Sequence, residues 1–500
     1  MKVLKFGGAS LKDGNSLKAI ASVVSATKGP KAIVLSAFNG VTDELNNFLG
    51  RILSRNFSEK QISSFVNKLK LEHLEYLKQA CLRQDFGRQA LSGETYRLIE
   101  GQCNRLERLL YGLRYIDEIT ERSRDLINSF GERLSVIVAS EALRTYPLER
   151  SVPATAGKSG ALNNLGINCR ALEADKIGVL TDGLFGRSSA VLPAVRRNMR
   201  RVVLPLVRRN IVPVITGYFG CDRHGRTTTF GRGGSDYSAS VIAYALDADV
   251  LELWKDVDGF MSADPEIIPQ ARLIKHLSYK EAAELAYFGS GILHPRTVEP
   301  VLLKNIPIII RNTFTQPLRA GVGFDRRAKG TVIHNYHVTH SIPIKGITYE
   351  KEIGFIKVHG YGSGFGYKSE VVSEITGRLL SANINIKSIL SAPTGIGLVF
   401  GREDFDAAFL LLSRTCLQQA GAMKLVSGFE KVLDRSLIAF VGEGITREKG
   451  VAAKVFNSLA KKRINVEMIS AGASSAAGFF IVHRRDLKKT VRTLYKEFFG

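Results

Sequence analysis

The period of apolar and polar positions changes several times along the chain. Val3–Phe6 is a short apolar run closed by Gly7-Gly8, Ser16–Ala26 carries helical spacing, and Ala32–Ser36 is a second apolar run closed by Asn39-Gly40. The first 45 residues are therefore predicted as β-loop-α-β-loop-α. From about Ser58 to Arg144 the chain is charged and reads as mainly helical. Apolar runs return at Ile177–Leu180, Ile211–Thr216, Val250–Trp254 and Ile306–Ile310, separated by helical segments. Alternation of this kind predicts an α/β layered domain with a largely parallel sheet, ending near residue 325.

The last third repeats itself. Val371, Ile375 and Leu379 form a helical stripe that runs into Ile384-Asn385-Ile386, and Val451, Val455 and Leu459 form another that runs into Ile464-Asn465-Val466. Each is followed by a glycine and a short apolar strand, at Gly397–Phe400 and Gly478–Val482. The repeat predicts two small α+β units suited to sensing, placed after the α/β body.

Composition narrows the class without deciding the function. Five hundred residues suggest about three domains, and 45% hydrophobic against 23% charged residues is ordinary for a globular chain. No apolar run approaches the ~18 residues of a membrane span, and the glycine pair at Gly7-Gly8 comes too early for a signal peptide. The five cysteines, Cys81, Cys103, Cys169, Cys221 and Cys416, are widely spaced and lack a Cys-x-x-Cys pair, so a cytoplasmic protein without a disulfide framework is expected. The net charge of +23 raises the question of nucleic acid. Its densest stretch, Arg196 to Arg209, is interleaved with Leu and Val and reads as the solvated face of an amphipathic helix, with no aromatic platform for bases beside it.

Two glycine motifs are set aside. Gly157-Lys158-Ser159 has the end of a P-loop, but Val152 stands where the first glycine must be. Gly362-Ser-Gly364-Phe-Gly366 lacks dinucleotide-fingerprint spacing.

Other stretches carry chemistry. Lys5-Phe-Gly7-Gly8-Ala9-Ser10 puts an ammonium at a strand end beside glycines whose backbone can approach an anion closely. Gly225-Arg-Thr-Thr-Thr-Phe-Gly-Arg232-Gly233-Gly234-Ser235-Asp236 is a donor-rich loop, with Ser235-Asp236 read as N-capping residues of the helix that follows. Arg232 could hold a carboxylate through two bonds. Gly131-Glu132 places a carboxylate in a helical region, where it could receive an ammonium or make a plain salt bridge. Ser36 to Thr42 closes the second strand with hydroxyls, the plain alternative being an N-cap at Thr42. Trp254-Lys255-Asp256-Val257-Asp258-Gly259 closes another strand. Strand-end loops holding cations, hydroxyls and carboxylates suit phosphoryl transfer, which needs positioning and charge neutralisation, with magnesium bridging nucleotide phosphates.

These blocks, together with Leu293-His-Pro295 and Gly472-Ala-Ser-Ser475, occur in the order found in the aspartate kinase family, which the chain resembles over nearly its whole length. The resemblance implies a three-layer αβα amino-acid kinase fold with a mostly parallel central sheet over 1–325. Two α+β, ferredoxin-like ACT domains would follow at 340–430 and 431–500. It implies ATP and Mg2+, L-aspartate as acceptor, 4-phospho-L-aspartate as product and a place at the head of the lysine, threonine, methionine and diaminopimelate route. It also implies an amino-acid effector at the ACT domains and a homodimer or higher homo-oligomer, with neither nucleic acid nor membrane as partner.

By position, the resemblance makes Lys5 and Asp236 catalytic. Thr42, Glu132, Arg232, Ser36, Gly233, Gly234 and Ser235 would bind substrate, Arg232 taking the α-carboxylate and Glu132 the ammonium. Lys5, Gly7, Gly8, Ala9, Lys255, Asp256 and Met261 would contact ATP. Three positions depart from the family: Ala9 and Lys255 replace threonines, and Gly291 replaces a lysine expected near the nucleotide. Lys255 is expected to supply the charge missing at 291. In the first ACT unit Asn385-Ile386-Lys387 reverses a charge, which counts against lysine as the inhibitor. The alternatives are another amino-acid kinase acting on glutamate derivatives or a nucleotide, a catalytically silent ACT-based sensor, and a nucleic-acid binder resting on charge alone.

Overall fold

The computed structural model describes residues 1–81, 93–146, 166–315, 330–335, 343–360, 368–417 and 421–500. Both set-aside glycine motifs, at 157–159 and 362–366, and the expected domain limits at 325 and 340 lie outside these residues. Two compact units emerge: 1–260 with 273–283 and 292–338, and 339–500 with 261–272 and 284–291.

In the first unit the strands are β1 Lys2–Phe6, β2 Lys31–Leu35, β3 Cys169–Leu172, β4 Val212–Thr216, β5 Phe219–Cys221, β6 Thr227–Thr229, β7 Val250–Lys255, β8 His276–Ser278, β9 Ile308–Asn312 and β10 Thr331–His334. Eight form one sheet in the order β3-β4-β2-β1-β7-β9-β10-β8, and β5-β6 form a separate hairpin. Every pairing in the large sheet is parallel except β9 with β10. The central strands are apolar on both faces because helices cover both faces; Val3, Leu4, Ile33 and Leu253 are fully buried.

The helices before the last sheet strands are α1 Gly14–Ala26, α2 Val41–Ile52, α3 Lys60–Ala80, α4 Gly93–Ile116, α5 Glu121–Asn128, α6 Phe130–Thr145, α7 Leu192–Arg208 and α8 Gly234–Ala245. On α7 the residues Ala194, Val195, Met199 and Val203 are buried, and Arg196 and Arg200 pair with Asp247, so the basic stretch is the outer face of an amphipathic helix. One expected strand is corrected. Ile177–Leu180 is a turn ending in an isolated bridge from Leu180 to Cys221, and Cys169–Leu172 supplies the edge strand instead. The apolar run at 177–180 is buried by packing rather than by sheet pairing.

The second unit is a six-stranded antiparallel sheet in the order β12-β13-β11-β14-β16-β15. Its strands are β11 Gly346–Gly360, β12 Ser388–Ala392, β13 Gly395–Gly401, β14 Val426–Val441, β15 Met468–Ala471 and β16 Ala477–His483. Both expected helical stripes are buried on helices, Lys368–Ser381 and Val451–Lys461. The Ile-Asn-Ile and Ile-Asn-Val runs, by contrast, are connections leading to β12 and β15. The two α+β modules are interleaved. Ile344 and Ile347 pack in one core with Val451, Val455 and Phe480, whereas Ile356 and Val358 pack in the other with Val371, Ile375 and Phe400. The first half of β11 thus serves the later module. Ala263, Ile267 and Ile268 join that same core, so a segment read as part of the α/β body belongs to the C-terminal unit. No helix among the described residues is long and apolar enough to cross a membrane.

Candidate active site

Parallel β1, β2 and β7 end side by side, and loops from their carboxyl ends meet α6 and α8 around one cavity of about 520 Å³. Lys5, Gly8, Ser36, Thr42, Glu132, Arg232, Gly233, Gly234, Ser235 and Asp236 all line it. Residues separated by up to 231 positions in sequence therefore share one space.

Lys5 leaves the end of β1 with its side chain only 5% exposed, its Nζ 2.5 Å from Asp236 Oδ1. The contact is an ion pair, not a well-aligned hydrogen bond, since Oδ1 lacks a partner of proper geometry. Lys255, at the end of β7, donates from Nζ to Asp236 Oδ2 at 2.8 Å. Burial alone would raise the Asp236 carboxyl, but the Lys255 ammonium and then the Lys5 ammonium hold it well below the usual carboxylate range. Burial lowers Lys5, offset in part by Asp236.

The glycines after β1 form a tight turn: Ser10 N donates to Gly7 O and Leu11 N to Gly8 O. Ser10 Oγ bonds Trp254 O at 3.1 Å and contacts Thr313 Oγ1 at 2.9 Å, pinning the turn to the neighbouring strands. A Cβ on Gly7 would stand 3.1 Å from Lys5 Nζ, so a side chain there would press on the ammonium. Gly7 and Ala9 do not line the cavity.

Glu132 is 2% exposed, in the first turn of α6. It accepts from Ser235 Oγ at 3.5 Å on Oε1, while Oε2 has no well-formed hydrogen bond among the described residues. A buried carboxylate oxygen left unpaired at a cavity wall is suited to an ammonium ligand. The preceding Gly131 is needed for the approach, because a Cβ there would meet Ala37 Cβ at 2.7 Å. Burial pushes the Glu132 carboxyl up to about 8. Its protonated form therefore stabilises the ligand-free fold fully below about 4.5, and that contribution is lost as pH rises through about 8. Accordingly, the ligand-free protein is expected to lose stability across this window and Glu132→Gln to flatten the slope. Thermal midpoints of both proteins against pH test this; parallel curves would exclude Glu132 as the source.

The loop before α8 differs from expectation in its details. The N-cap of α8 is Gly233, at φ +70°, and Ser235 and Asp236 lie inside the first turn. Likewise Gly40, at φ +85°, caps α2, leaving Thr42 in that helix's first turn and facing the cavity. The three threonine hydroxyls do not reach for an anion. They sit on β6, where Thr229 Oγ1 donates to Asp125 at 2.6 Å, Thr227 Oγ1 to Asp175 at 3.1 Å, and Thr228 Oγ1 contacts Thr181 Oγ1 at 2.7 Å. Arg226 is paired with Asp222. Of the block's two arginines, Arg232 is the one at the cavity.

Asp256 is exposed beside Lys255, its carbonyl accepting from Asn312 Nδ2. Met261 and Gly291 belong to the C-terminal unit. Gly291 has φ +67°, a conformation that disfavours a lysine side chain. In the same unit Lys387 pairs with Glu350 at 2.7 Å, and the Tyr287 hydroxyl donates to Lys387 O at 2.9 Å.

Sequence reasoning missed four contributors. Asp43, Asn46 and Tyr218 line the cavity; Asn46 lies one helical turn after Thr42, and Tyr218 follows Gly217 at the end of β4, so helical spacing and the strand-end rule could have found them. Arg133 is fully buried, bonded to Ser129 at 3.0 Å and Asp175 at 2.5 Å, paired with Glu173 and stacked on Phe219 at 4.6 Å. It fastens the helix carrying Glu132 to the hairpin that leads to Arg232. No spacing rule marks such a residue.

The sequence model described as the Amino acid kinase family matches residues 1–312, more than half the chain. The chain belongs to the amino acid kinase family. An ACT domain model matches residues 438–498. Aspartokinase 2, chloroplastic, of Arabidopsis thaliana is 29% identical over 99% of this chain and 84% of its own length. The lysine-sensitive aspartokinase 3 of Escherichia coli is 27% identical over 99% of both chains. A bifunctional aspartokinase/homoserine dehydrogenase of Buchnera aphidicola is 26% identical, and this chain spans 56% of its length. The fold of this family member matches E. coli aspartokinase III in complex with aspartate and ADP, with a TM-score of 0.77 at 24% identity over the whole of both chains.

Proposed function

We propose that the protein is an aspartate kinase, moving the γ-phosphoryl group of ATP onto the side-chain carboxylate of L-aspartate. The observation that carries this reading is the convergence of Lys5, Glu132, Arg232 and Asp236 on one cavity. The charges there match an amino acid with a second carboxylate. Arg232 holds the α-carboxylate, Glu132 the ammonium, and Ser36, Thr42 and Ser235 supply hydroxyl partners. The side-chain carboxylate is thereby aimed at Lys5 and Asp236. In the transfer a carboxylate oxygen bonds to the γ-phosphorus as the bond from that phosphorus to the β-phosphate oxygen breaks. The electron pair stays on the β-phosphate, and no proton moves. A nucleophilic side chain is unnecessary, and charge placement does the work.

The donor set fits magnesium only as part of the nucleotide complex. Among the described residues no group of three His, Cys, Asp or Glu side chains is placed to hold a metal, and both Asp236 oxygens are held by ammonium groups. Bound to the nucleotide, magnesium would neutralise phosphate charge. The glycine turn at Gly7-Gly8 would cradle the phosphates. Two ACT-like modules support regulation by an amino-acid effector and assembly as a homodimer.

A coupled assay of ADP release with L-aspartate and Mg-ATP, repeated with lysine, threonine or methionine added, tests the reading. Hydroxamate formation with aspartate but not glutamate is the expected specificity; activity with glutamate alone would overturn it. Arg232→Ala is expected to raise the aspartate KM by about 10- to 150-fold, the effect of about 1.5–3 kcal/mol for a lost charge-assisted bond, with little change in ATP affinity. An unchanged aspartate KM would remove Arg232 from the substrate pocket.

A further inference from the structure

The junction between α5 and α6 is bonded to β6 at two points. Asp125, on α5 and 1% exposed, accepts from Thr229 N and Gly186 N at 2.8 Å on Oδ2 and from Thr229 Oγ1 at 2.6 Å on Oδ1. Arg133, on α6 and fully buried, donates from Nε to Ser129 Oγ and from Nη1 to Glu173 and Asp175. Its Nη2 donates to Asp175 at 2.5 Å and to Thr227 Oγ1 at 3.3 Å. All five guanidinium N–H groups thus have acceptors. Thr227 and Thr229 precede Arg232 on the same stretch of chain, and Arg133 adjoins Glu132.

Neither Asp125 nor Arg133 lines the cavity, yet each holds elements that do. α6 carries Glu132, and the chain leaving β6 carries Arg232. Ser135, also on α6, donates from Oγ to Ser36 O at 2.7 Å, so the same helix is tied to the end of β2 as well. Apolar packing lets a helix slide a little on a hairpin. A planar guanidinium with five bonds and a carboxylate with three fix direction as well as distance. Buried ionic groups add little net stability over an apolar filling of the same volume. A network this dense behind a binding site therefore points to a demand for fixed geometry.

Resting on the acceptor reading above, we infer that Asp125 and Arg133 are positioning residues of the amino-acid pocket. Through Thr229 and Thr227 they set the span between Glu132 and Arg232, so that ammonium and α-carboxylate are gripped in one register and the side-chain carboxylate arrives at Lys5. Neither touches the substrate. The two threonine hydroxyls are then anchor points of the pocket.

The full-length protein with Thr229→Val, Thr229→Ser and Arg133→Lys tests this. Thr229→Val deletes one hydroxyl and leaves both backbone bonds to Asp125. Arg133→Lys keeps a cation against Glu173 and Asp175 but loses the fork. Each is expected to lower kcat/KM for aspartate about 10- to 100-fold, the scale for a misplacement approaching 1 Å, with most of the loss in the aspartate KM. Mg-ADP affinity, read by calorimetric titration, should stay within about twofold, because β1 and β7 are not held by these anchors. Thr229→Ser, which restores the hydroxyl, should keep the aspartate KM within about threefold of the parent. Thermal midpoints serve as the control, and Thr229→Val decides alone if Arg133→Lys does not fold. An aspartate KM within about twofold of the parent in Thr229→Val, whatever its midpoint, would overturn the inference. So would an equal loss of Mg-ADP affinity, or a Thr229→Ser protein as impaired as Thr229→Val. If the parent phosphorylates a different amino acid and these variants raise the KM for that one, the aspartate reading falls and the positioning role stands. A parent that phosphorylates no amino acid would overturn both.

Discussion

Lys5→Ala is expected to lower turnover about 100- to 1,000-fold, the scale for deleting one pre-organised electrostatic group from a buried site. Lys5 is held by burial and by Asp236, at 2.5 Å, so it is already ordered before substrates arrive. Its burial also lowers the cost of charge neutralisation in the transition state, because few waters compete for the phosphate. The loss should appear in kcat with the aspartate KM little changed, since Glu132 and Arg232 grip the amino-acid end. Steady-state kinetics at saturating Mg-ATP measure it. A variant that keeps more than about a tenth of parental turnover would show that Lys5 binds without contributing to the transfer.

Gly233→Ala is expected to be nearly as damaging although it deletes no functional group. Gly233 sits at φ +70°, where an alanine costs about 1–2 kcal/mol. Its new Cβ would also fall 2.3 Å from His294 Cβ and 2.5 Å from His294 Cγ. His294 lies in a well-anchored stretch: Arg296 bonds Ser188 O at 2.9 Å and stacks on Tyr237 at 4.5 Å. The Gly231–Asp236 loop must move instead, carrying Arg232 and Asp236 with it. A displacement near 1 Å is enough to cost about 100-fold in kcat/KM. Kinetics with the thermal midpoint as control test this: kcat/KM within about threefold of the parent would mean that the loop's position is not critical.

Much of the α/β body was legible in the chain. Val250–Trp254, Ile211–Thr216 and the runs around Gly7-Gly8 and Gly40 became strands and strand ends because buried parallel strands must be apolar on both faces. Ile177–Leu180 misled for the same reason, since a short apolar run is equally at home in a buried turn. The threonines of Thr227–Thr229 misled in another way. A hydroxyl in a glycine-rich block looks available until its partner, here Asp125 or Asp175, is brought up from more than 50 residues away.

The sequence by itself determined that Lys5 closes an apolar run and that Glu132, Arg232 and Asp236 stand in glycine-bearing stretches, because glycine spacing and apolar runs are local properties. Tertiary structure alone decided that Lys255 and Lys5 share one carboxylate, that Arg133 fastens the helix of Glu132, and that residues 261–272 pack with the C-terminal modules. Those pairings depend on sheet order and on which strand ends become neighbours, and no local pattern of side chains encodes either.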